Sequence, residues 1–160
     1  EFELKTLLQL YNNLDQSIEE IDTKITNIMN CYQFKITEFK GVGIISAASL
    51  VAEIGDINRF NNPNQLLAFA GLEPSTIESG TMVQKGKMVK RGSPHLRYVL
   101  MNVAMTIILN NPTFYEYYSK KHYKEGKTHR VALSHVVRKL LRIIYHLEIT
   151  DKKFDAKLLY

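Results

Sequence analysis

The sequence predicts a mainly α-helical protein, with an N-terminal coiled-coil helix followed by a helical domain that contains a helix-hairpin-helix and one long irregular basic loop. Apolar residues recur at helical spacing along most of the chain, and Asn62-Pro63 and Ser93-Pro94 each place a capping residue before a proline, which is a helix-start signal. Only residues 72–92 lack helical periodicity over a long stretch. We therefore expect a connector helix at residues 1–34 and a C-terminal domain at residues 35–160.

The connector helix is predicted from an unbroken alternation of three- and four-residue spacings between apolar side chains, the pattern of a coiled-coil a/d seam. The seam consists of Leu4, Leu7, Tyr11, Leu14, Ile18, Ile21, Ile25, Ile28 and Tyr32. A long helix that packs on its own domain would show the same pattern, and both interpretations stay open. The coiled-coil interpretation predicts that the chain forms a homo-oligomer.

A helix-hairpin-helix is predicted at about residues 36–56, where Gly41-Val42-Gly43 separates two apolar stretches of helical period. The glycines permit a tight turn, and the amide groups at the start of the following helix can hold a phosphate. This motif grips DNA backbones without reading their sequence, so Gly41 and Gly43 are candidate nucleic-acid-binding residues. The alternative is an ordinary helical turn closed by two glycines.

Further helices are expected downstream of Gly55-Asp56, which ends the second helix of the hairpin. They are a short helix from Asn62-Pro63 to Gly71, an apolar helix from Ser93-Pro94 to Asn110-Asn111-Pro112, a Tyr-rich basic helix at 113–124 and a last helix capped by Thr128. The apolar helix is expected at the centre of a helical core formed by residues 93–150.

Basic residues are concentrated in one segment. The chain carries a formal charge of +5, yet residues 1–34 hold six acids and two bases, whereas residues 81–98 hold only bases. A polyanion is the natural partner of such a segment, because lysine and arginine bind phosphates. The candidate nucleic-acid-binding residues here are Lys85, Lys87, Lys90, Arg91 and Arg97.

Cysteine usage and hydropathy predict a reducing, cytoplasmic location. Cys31 is the single cysteine and cannot form an internal disulfide, and the sequence shows neither a signal peptide nor an apolar run of membrane-spanning length. No membrane partner is expected. The chain begins with Glu-Phe-Glu rather than Met, from which we expect it to be a piece of a longer protein.

No metal site or cofactor is predicted within this chain. One cysteine and five scattered histidines show no familiar ligand spacing. Glu53 and Asp56 lie three residues apart, and solvation of a helix end is their expected role rather than magnesium binding. The sequence also lacks a Walker-type phosphate loop and the nucleophile elbow of hydrolases.

Ser79 is the candidate catalytic residue, because it lies beside Gly80 in a cationic segment. A serine hydroxyl becomes a useful nucleophile when a base, a metal or a group of cations lowers the cost of its alkoxide. The five basic residues of the segment can supply such a field. From composition alone, a loop serine next to a glycine is more often a turn residue than a nucleophile.

Several segments in unbroken order carry a resemblance to a known family. They are FKGVGIISAASLVAEIGDINRFNNPNQLLAFAGLEP, ESG, KGKMVKRGSPHLRYVL and RKLLRIIYH, within residues 36–147. With these elements the chain resembles the C-terminal domain of the insertion-sequence one-ten transposases, DEDD-type recombinases related to the Piv DNA invertases. By this resemblance, Ser79 corresponds to the serine proposed as the DNA nucleophile of the family.

The resemblance implies a full-length protein in which a coiled coil joins this domain to an N-terminal RuvC-like domain with metal-binding acids. It implies strand exchange in which Ser79 attacks a DNA phosphate, Mg²⁺ bound by those acids, and a guide RNA that selects the DNA. The isolated chain is then expected to bind nucleic acid without cutting it. Two alternatives remain, namely a non-catalytic helix-hairpin-helix DNA-binding module and a coiled-coil assembly domain whose basic loop only contacts phosphates.

Overall fold

The part of the chain that the computed structural model describes contains six α-helices, one two-stranded antiparallel sheet and short 3-10 and π-helical segments. This part comprises residues 2–32, 34–79, 82–152 and 154–155, without the side chains of 74–79 and 82–87. The helices are α1 (Phe2–Asn30), α2 (Ile44–Ile54), α3 (Pro63–Phe69), α4 (Pro94–Asn110), α5 (Pro112–Ser119) and α6 (His129–Thr150), and the strands are β1 (Pro74–Ser79) and β2 (Met82–Met88). The prediction of a mainly α fold is confirmed.

The chain divides into two compact units, Glu1–Gln33 and Phe34–Tyr160. The first unit consists of α1, in which the predicted seam residues from Leu4 to Ile21 expose 55–64% of their surface. The predicted helix is confirmed, and a long apolar stripe in water is typical of helices that pair. Pairing itself stays a prediction. Neither α1 nor any other helix in the described residues has both the length and the apolarity that a bilayer crossing requires.

The core of the second unit lies between α4 and α6, which contact each other and are flanked by α2, α3 and α5. Both helices bury apolar side chains at helical spacing. The deeply buried residues are Leu96, Leu100, Val103, Ala104 and Ile107 in α4, and Val136, Val137, Leu140, Leu141 and Leu147 in α6. The expectation that the apolar helix beginning at Ser93-Pro94 is central to the core is therefore confirmed.

Side-chain caps determine where three of the helices begin. Asn62, Ser93 and Asn111 accept hydrogen bonds from amides in the first turns of α3, α4 and α5, respectively. Each cap satisfies an amide that has no partner within its helix. Thr128 occupies the N-cap position of α6 as predicted, but its hydroxyl makes no capping hydrogen bond.

The region predicted as a helix-hairpin-helix, residues 36–56, contains one α-helix. It begins within a 3-10 helix at Lys35–Glu38, turns at Gly41, where φ is +99°, and enters α2 after Gly43. The helix ends at Gly55 with φ +64°, as the sequence predicts. The element before the glycine turn is a four-residue 3-10 helix rather than the first α-helix of a helix-hairpin-helix. The motif and its binding to DNA therefore stay predictions.

The prediction of one long irregular loop at residues 72–92 is wrong, because β1 and β2 pair there as an antiparallel hairpin. Pro74 pairs with Met88 and Ser79 pairs with Met82, and the register shifts once near the start of β1. Strand pairing needs no helical spacing, so the lack of such spacing did not indicate a lack of regular structure. The segment that carries the candidate nucleophile is a two-stranded ribbon.

Candidate functional site

The β-hairpin is closed at its base by backbone hydrogen bonds. The Val89 amide donates to the Glu73 carbonyl oxygen at 2.8 Å, immediately outside the two strands. The Ser93 amide donates to the Phe69 carbonyl oxygen at 2.8 Å and joins the start of α4 to the end of α3. These two bonds fix where the chain enters the hairpin and where it leaves.

Gly71 and Gly92 let the two connecting backbones approach closely, and we call this pair the glycine clamp. Both residues have positive φ values, +66° and +140°. A Cβ on Gly92 would overlap the Phe69 carbonyl oxygen, and a Cβ on Gly71 would lie 2.6 Å from Arg97 Nη1. A larger residue at Gly92 therefore displaces backbone. The clamp sets the point from which the hairpin departs.

Arg97, one of the predicted phosphate-binding residues, has a structural contact. Its side chain is half-buried, and Nη1 donates to the Ala70 carbonyl oxygen at 3.0 Å, at the C-terminal end of α3. A cation at this end of a helix also interacts favourably with the helix dipole. Part of the hydrogen-bonding capacity of Arg97 is thus used within the protein, and its role in nucleic-acid binding stays a prediction.

The acid pair Glu53 and Asp56 is engaged by neighbouring protein groups. Glu53 Oε2 accepts a hydrogen bond from the Ser93 hydroxyl at 2.7 Å. Asp56 Oδ1 accepts one from the Asn58 amide at 2.9 Å and caps the 3-10 helix Ile57–Arg59. Within the described residues, no three His, Cys, Asp or Glu side chains gather in a group that could hold a metal ion.

Ser79 is the last residue of β1, and its backbone pairs with Met82 across the ribbon. Lys85 and Lys87 lie on the returning strand β2, where Lys85 pairs with Thr76. The backbone therefore places the candidate nucleophile and two of the predicted cations on one hairpin. Their side chains lie outside the described part of the chain.

The two glycines of the predicted helix-hairpin-helix differ in their surroundings. A Cβ on Gly41 would lie 2.9 Å from Asn110 Cβ and from the Thr106 carbonyl oxygen, so Gly41 allows its turn to pack on the end of α4. Nothing lies within 4 Å of a Cβ on Gly43. Gly41 thus has a packing role, whereas Gly43 leaves space at the start of α2.

Lys90 and Arg91 follow β2 with exposed side chains, and Lys90 lines a groove with a volume of about 450 Å³. The described residues that line this groove are Met88, Lys90, Pro94, Arg97, Tyr98, Met101, Arg130, Val131 and Ser134. Sequence reasoning missed Tyr98 and Arg130. Tyr98 had a signal, because it is a large aromatic residue beside Arg97. Arg130 had none, because it lies on a helix far along the chain.

The basic residues in the middle of α6 have contacts within the protein. Arg138 Nη2 donates to His135 Nδ1 over 3.0 Å, and Arg142 Nη2 donates to Asn64 Oδ1 over 3.3 Å. Burial lowers the pKa values of Arg138 and Lys139. These contacts and this burial compete with phosphate binding, which makes the exposed cations after β2 the better candidates.

His135 is neutral in the folded protein. Burial in the first place, and then the positive charge of Arg138, lower the pKa of its imidazole to about 4. Lys121 and Lys127 act in the same direction, and Glu125 opposes them. Because a guanidinium only donates hydrogen bonds, the imidazole nitrogen that faces Arg138 must be an acceptor, which a protonated ring does not offer.

Residues 34–119 match the family model described as the transposase IS116/IS110/IS902 family. The match covers more than half of the chain and includes the β-hairpin, the glycine clamp and the exposed cations after β2. The chain belongs to this family. The transposase resemblance seen in the sequence is thereby confirmed.

The transposase chain is similar to several curated proteins. It is 26% identical over 149 residues to the pilin gene-inverting protein of Moraxella lacunata, a match that covers 89% of this chain and 46% of that protein. It is 29% identical over 110 residues to the insertion element IS110 uncharacterized 43.6 kDa protein of Streptomyces coelicolor, a match that covers 69% of this chain and 27% of that protein. It is 30% identical over 98 residues to the transposase for insertion sequence element IS1111A of Coxiella burnetii, a match that covers 60% of this chain and 27% of that protein. The chain thus spans less than half the length of these relatives.

Proposed function

We propose that this chain is the C-terminal part of a DNA transposase or site-specific recombinase and that Ser79 supplies the nucleophile for strand exchange. The observation that carries the proposal is the position of Ser79 at the end of β1, within the residues that match the transposase family. Similarity over 89% of the chain to a protein named for gene inversion supports a recombination reaction.

In the proposed reaction, the Ser79 hydroxyl attacks a phosphorus atom of the DNA backbone. An Oγ–P bond forms and the P–O bond on one side of the break is cleaved. The serine proton passes to a base or to water, and the departing oxygen takes up a proton. One DNA end is then linked to the serine and the other carries a free hydroxyl, which leaves the phosphate ready for attack by a second hydroxyl that joins new ends.

Cations near the hairpin would stabilise the negative charge that develops on the phosphate. Lys85 and Lys87 lie on β2, and Lys90 and Arg91 follow it with exposed side chains. Lysine and arginine contacts to phosphates release counterions and carry no base information. We therefore expect nucleic-acid binding by this chain to be sensitive to salt and weakly dependent on sequence.

The described residues do not fit a magnesium site, because no three of their His, Cys, Asp or Glu side chains form a metal-holding group. We place any Mg²⁺ of the full-length protein outside these residues, on the acids of the RuvC-like domain that the family resemblance implies, and no step above depends on it. We also propose that a guide RNA takes part, because the family resemblance implies one. We further propose that two subunits pair through α1, because the apolar seam of α1 is exposed.

The test uses the full-length protein with Mg²⁺, its guide RNA and end-labelled DNA, resolved on a denaturing gel. The wild type is expected to form a covalent protein–DNA adduct and Ser79→Ala to form none. Ser75→Ala, on the same strand β1, is the matched control and is expected to keep the adduct. The 160-residue chain alone is expected to form no adduct even with Ser79 intact.

An adduct formed by the Ser79→Ala protein contradicts the assignment of the nucleophile. A different result, in which the full-length wild type binds DNA but never forms an adduct, favours the non-catalytic helix-hairpin-helix module. The specific observation for that alternative is the open space at Gly43, where a phosphate has access to the start of α2.

A further inference from the structure

We propose that the groove beside Lys90 holds one nucleotide of an unpaired DNA strand, with its base on Tyr98 and its phosphate on Lys90 and Arg130. This inference deepens the proposed recombinase function and rests on it. The groove has a volume of about 450 Å³, which falls in the range of about 300–1,000 Å³ typical of small-ligand sites. A groove of this size suits a single nucleotide.

The groove collects positive charge from three parts of the second unit. Lys90 comes from the segment after β2, Arg97 from α4 and Arg130 from the first turn of α6. Aspartate and glutamate are absent from the described residues that line it. Three cations without a carboxylate produce a positive potential, which attracts a phosphate.

Lys90 and Arg130 are the expected phosphate contacts because their side chains are exposed. Arg97 is half-buried, and its Nη1 already donates to the Ala70 carbonyl oxygen. Replacing Arg97 would therefore disturb the end of α3 as well as the charge of the groove. Arg130 is the better residue with which to test the phosphate contact.

Tyr98 provides the aromatic surface of the groove. It is 69% exposed, although Leu96 and Leu100 on the same helix are fully buried. Proteins that bind single strands stack bases on aromatic side chains next to cations. In a duplex, neighbouring base pairs cover the faces of each base, so Tyr98 favours an unpaired one. Met88 and Met101 add apolar, polarizable walls.

We assign the nucleotide to DNA because the proposed strand exchange breaks DNA. A broken strand supplies unpaired nucleotides close to the reacting phosphate. Lys90 lies in the short segment that follows β2, so the groove lies at the base of the ribbon that carries Ser79 at its other end, about 17 Å along β1. The strand held in the groove is therefore expected to belong to the same DNA that reacts.

The experiment measures the affinity of the 160-residue chain for a fluorescent single-stranded DNA oligonucleotide, for the matching duplex and for RNA of the same sequence. Tyr98→Ala is expected to weaken single-stranded DNA binding about 5- to 150-fold, the loss for one stacked base, and to leave duplex binding unchanged. Tyr98→Phe keeps the ring and is expected to bind like the wild type. Arg130→Gln is expected to lower the log–log salt slope by about 0.7, the value for one phosphate contact on a single strand.

Tyr123 and Lys124 supply the matched control, because they place an exposed tyrosine beside an exposed lysine outside the groove. Tyr123 is 70% exposed, which closely matches Tyr98. Tyr123→Ala and Lys124→Gln are expected to bind every probe like the wild type. Circular dichroism of each variant checks that it is folded.

Equal losses for Tyr98→Ala and Tyr123→Ala overturn the assignment to the groove. If Tyr98→Ala weakens duplex binding as much as single-stranded DNA binding, the proposal that the groove holds an unpaired base is overturned. If Tyr98→Ala weakens only RNA binding, the assignment to DNA is overturned. Failure of the adduct test at Ser79 leaves these affinities as they are, so the proposed reaction and this inference fail separately. A wild-type 160-residue chain that binds no nucleic acid overturns this inference, whereas the adduct test on the full-length protein decides the proposed reaction separately.

Discussion

The Ser93 hydroxyl donates a hydrogen bond to Glu53 Oε2 at 2.7 Å and accepts one from the Leu96 amide at 3.0 Å. One side chain therefore joins α2 to the first turn of α4. This contact fixes the direction in which α4 leaves the glycine clamp, immediately after the hairpin. Ser93 and Ser79 lie in the same family-matched segment; the contacts of Ser93 are structural, whereas Ser79 is the proposed nucleophile.

Replacing Ser93 by Ala is expected to lower the free energy of unfolding by about 2–4 kcal/mol, because a helix cap contributes about 1 kcal/mol and a hydrogen bond to a carboxylate contributes about 1.5–3 kcal/mol. Ser79→Ala is expected to change it by no more than about 0.5 kcal/mol, because the proposed role of Ser79 is chemical and its backbone pairing with Met82 does not depend on the side chain. Urea denaturation followed by circular dichroism measures both values. A larger loss for Ser79→Ala would show that the two roles are assigned the wrong way round.

Gly92→Ala is expected to destabilise the protein more than Gly126→Ala. Both glycines have positive φ, which costs a non-glycine residue about 1–2 kcal/mol. Nothing lies within 4 Å of a Cβ on Gly126, whereas a Cβ on Gly92 would meet the Phe69 carbonyl oxygen. The added crowding is expected to cost about 1–3 kcal/mol more. Thermal unfolding of the two variants measures the difference. Equal unfolding midpoints would contradict the claim that the close backbone approach at the glycine clamp requires a glycine at position 92.

His135→Gln is expected to reduce the loss of stability between pH 6.5 and pH 4. In the unfolded chain the imidazole takes up a proton near pH 6.5, whereas in the folded chain its pKa is about 4. The unfolded state binds more protons in this window, so stability is complete above it and falls as the pH drops through it. Urea midpoints at pH 7 and pH 4.5 measure the effect. Wild-type and variant profiles of identical shape would argue against a neutral His135.

The acid response of Glu125 lies in a lower pH window and serves as an internal reference. Its hydrogen bond from Lys121 in the first place, and that from Lys127 in the second, lower the pKa of the carboxyl from 4.5 to about 2. The contribution of Glu125 is therefore complete above pH 4.5 and is lost as the pH falls towards 2. We expect this lower window to be the same in the wild type and in His135→Gln.

Replacing Lys87, Lys90 and Arg91 by alanine is expected to lower the salt slope of duplex binding by about 0.9 for each phosphate that is no longer bound. Titrations of labelled DNA at several salt concentrations measure the slope. Lys152→Ala, another exposed lysine, is the control and is expected to leave the slope unchanged. If the triple variant keeps the wild-type slope, the binding surface lies elsewhere, and the α6 bases Arg138, Lys139 and Arg142 are the next candidates.

Leu14→Lys combined with Ile21→Lys is expected to abolish self-association. Both residues lie on the exposed apolar seam of α1, and a charge at an a or d position is costly when two helices pair. The control combines Gln9→Lys with Gln16→Lys, which adds the same charge to the opposite face of the helix. Sedimentation of the three proteins measures association. A monomeric wild type contradicts the coiled-coil prediction.

The helices were predictable because their signals are local. Asn62 and Ser93 stand before prolines and cap the helices that the sequence indicated. The hairpin also has a local signal, which is not a helical spacing of apolar residues. Only Gly80-Thr81 separates β1 from β2, and a two-residue connection that begins with glycine is typical of a hairpin. The runs Thr76-Ile77 and Met82-Val83 on either side are suited to strands.

The candidate site was less predictable, because its parts meet only through tertiary packing. Arg130 reaches the groove because α6 packs on α4, and no local pattern encodes that contact. The bond from Arg97 to the Ala70 carbonyl oxygen depends on the close approach of two connecting backbones at the glycine clamp. The role proposed for Ser79 came from resemblance to a family, since a serine beside a glycine does not by itself indicate a nucleophile.

The β-hairpin is joined to the helical domain at its base. From Pro74 to Ser79 the strand advances about 17 Å, at roughly 3.3 Å per residue. In the described residues the strands pair with each other and have few contacts with the helices, and a lone two-stranded ribbon is only marginally stable in water. The bond from the Val89 amide to the Glu73 carbonyl oxygen therefore fixes the base of the ribbon to the helical domain, whereas the two strands are held mainly by each other. The proposed chemistry at Ser79 would then take place about 17 Å along the ribbon from the point where β1 leaves the helical domain.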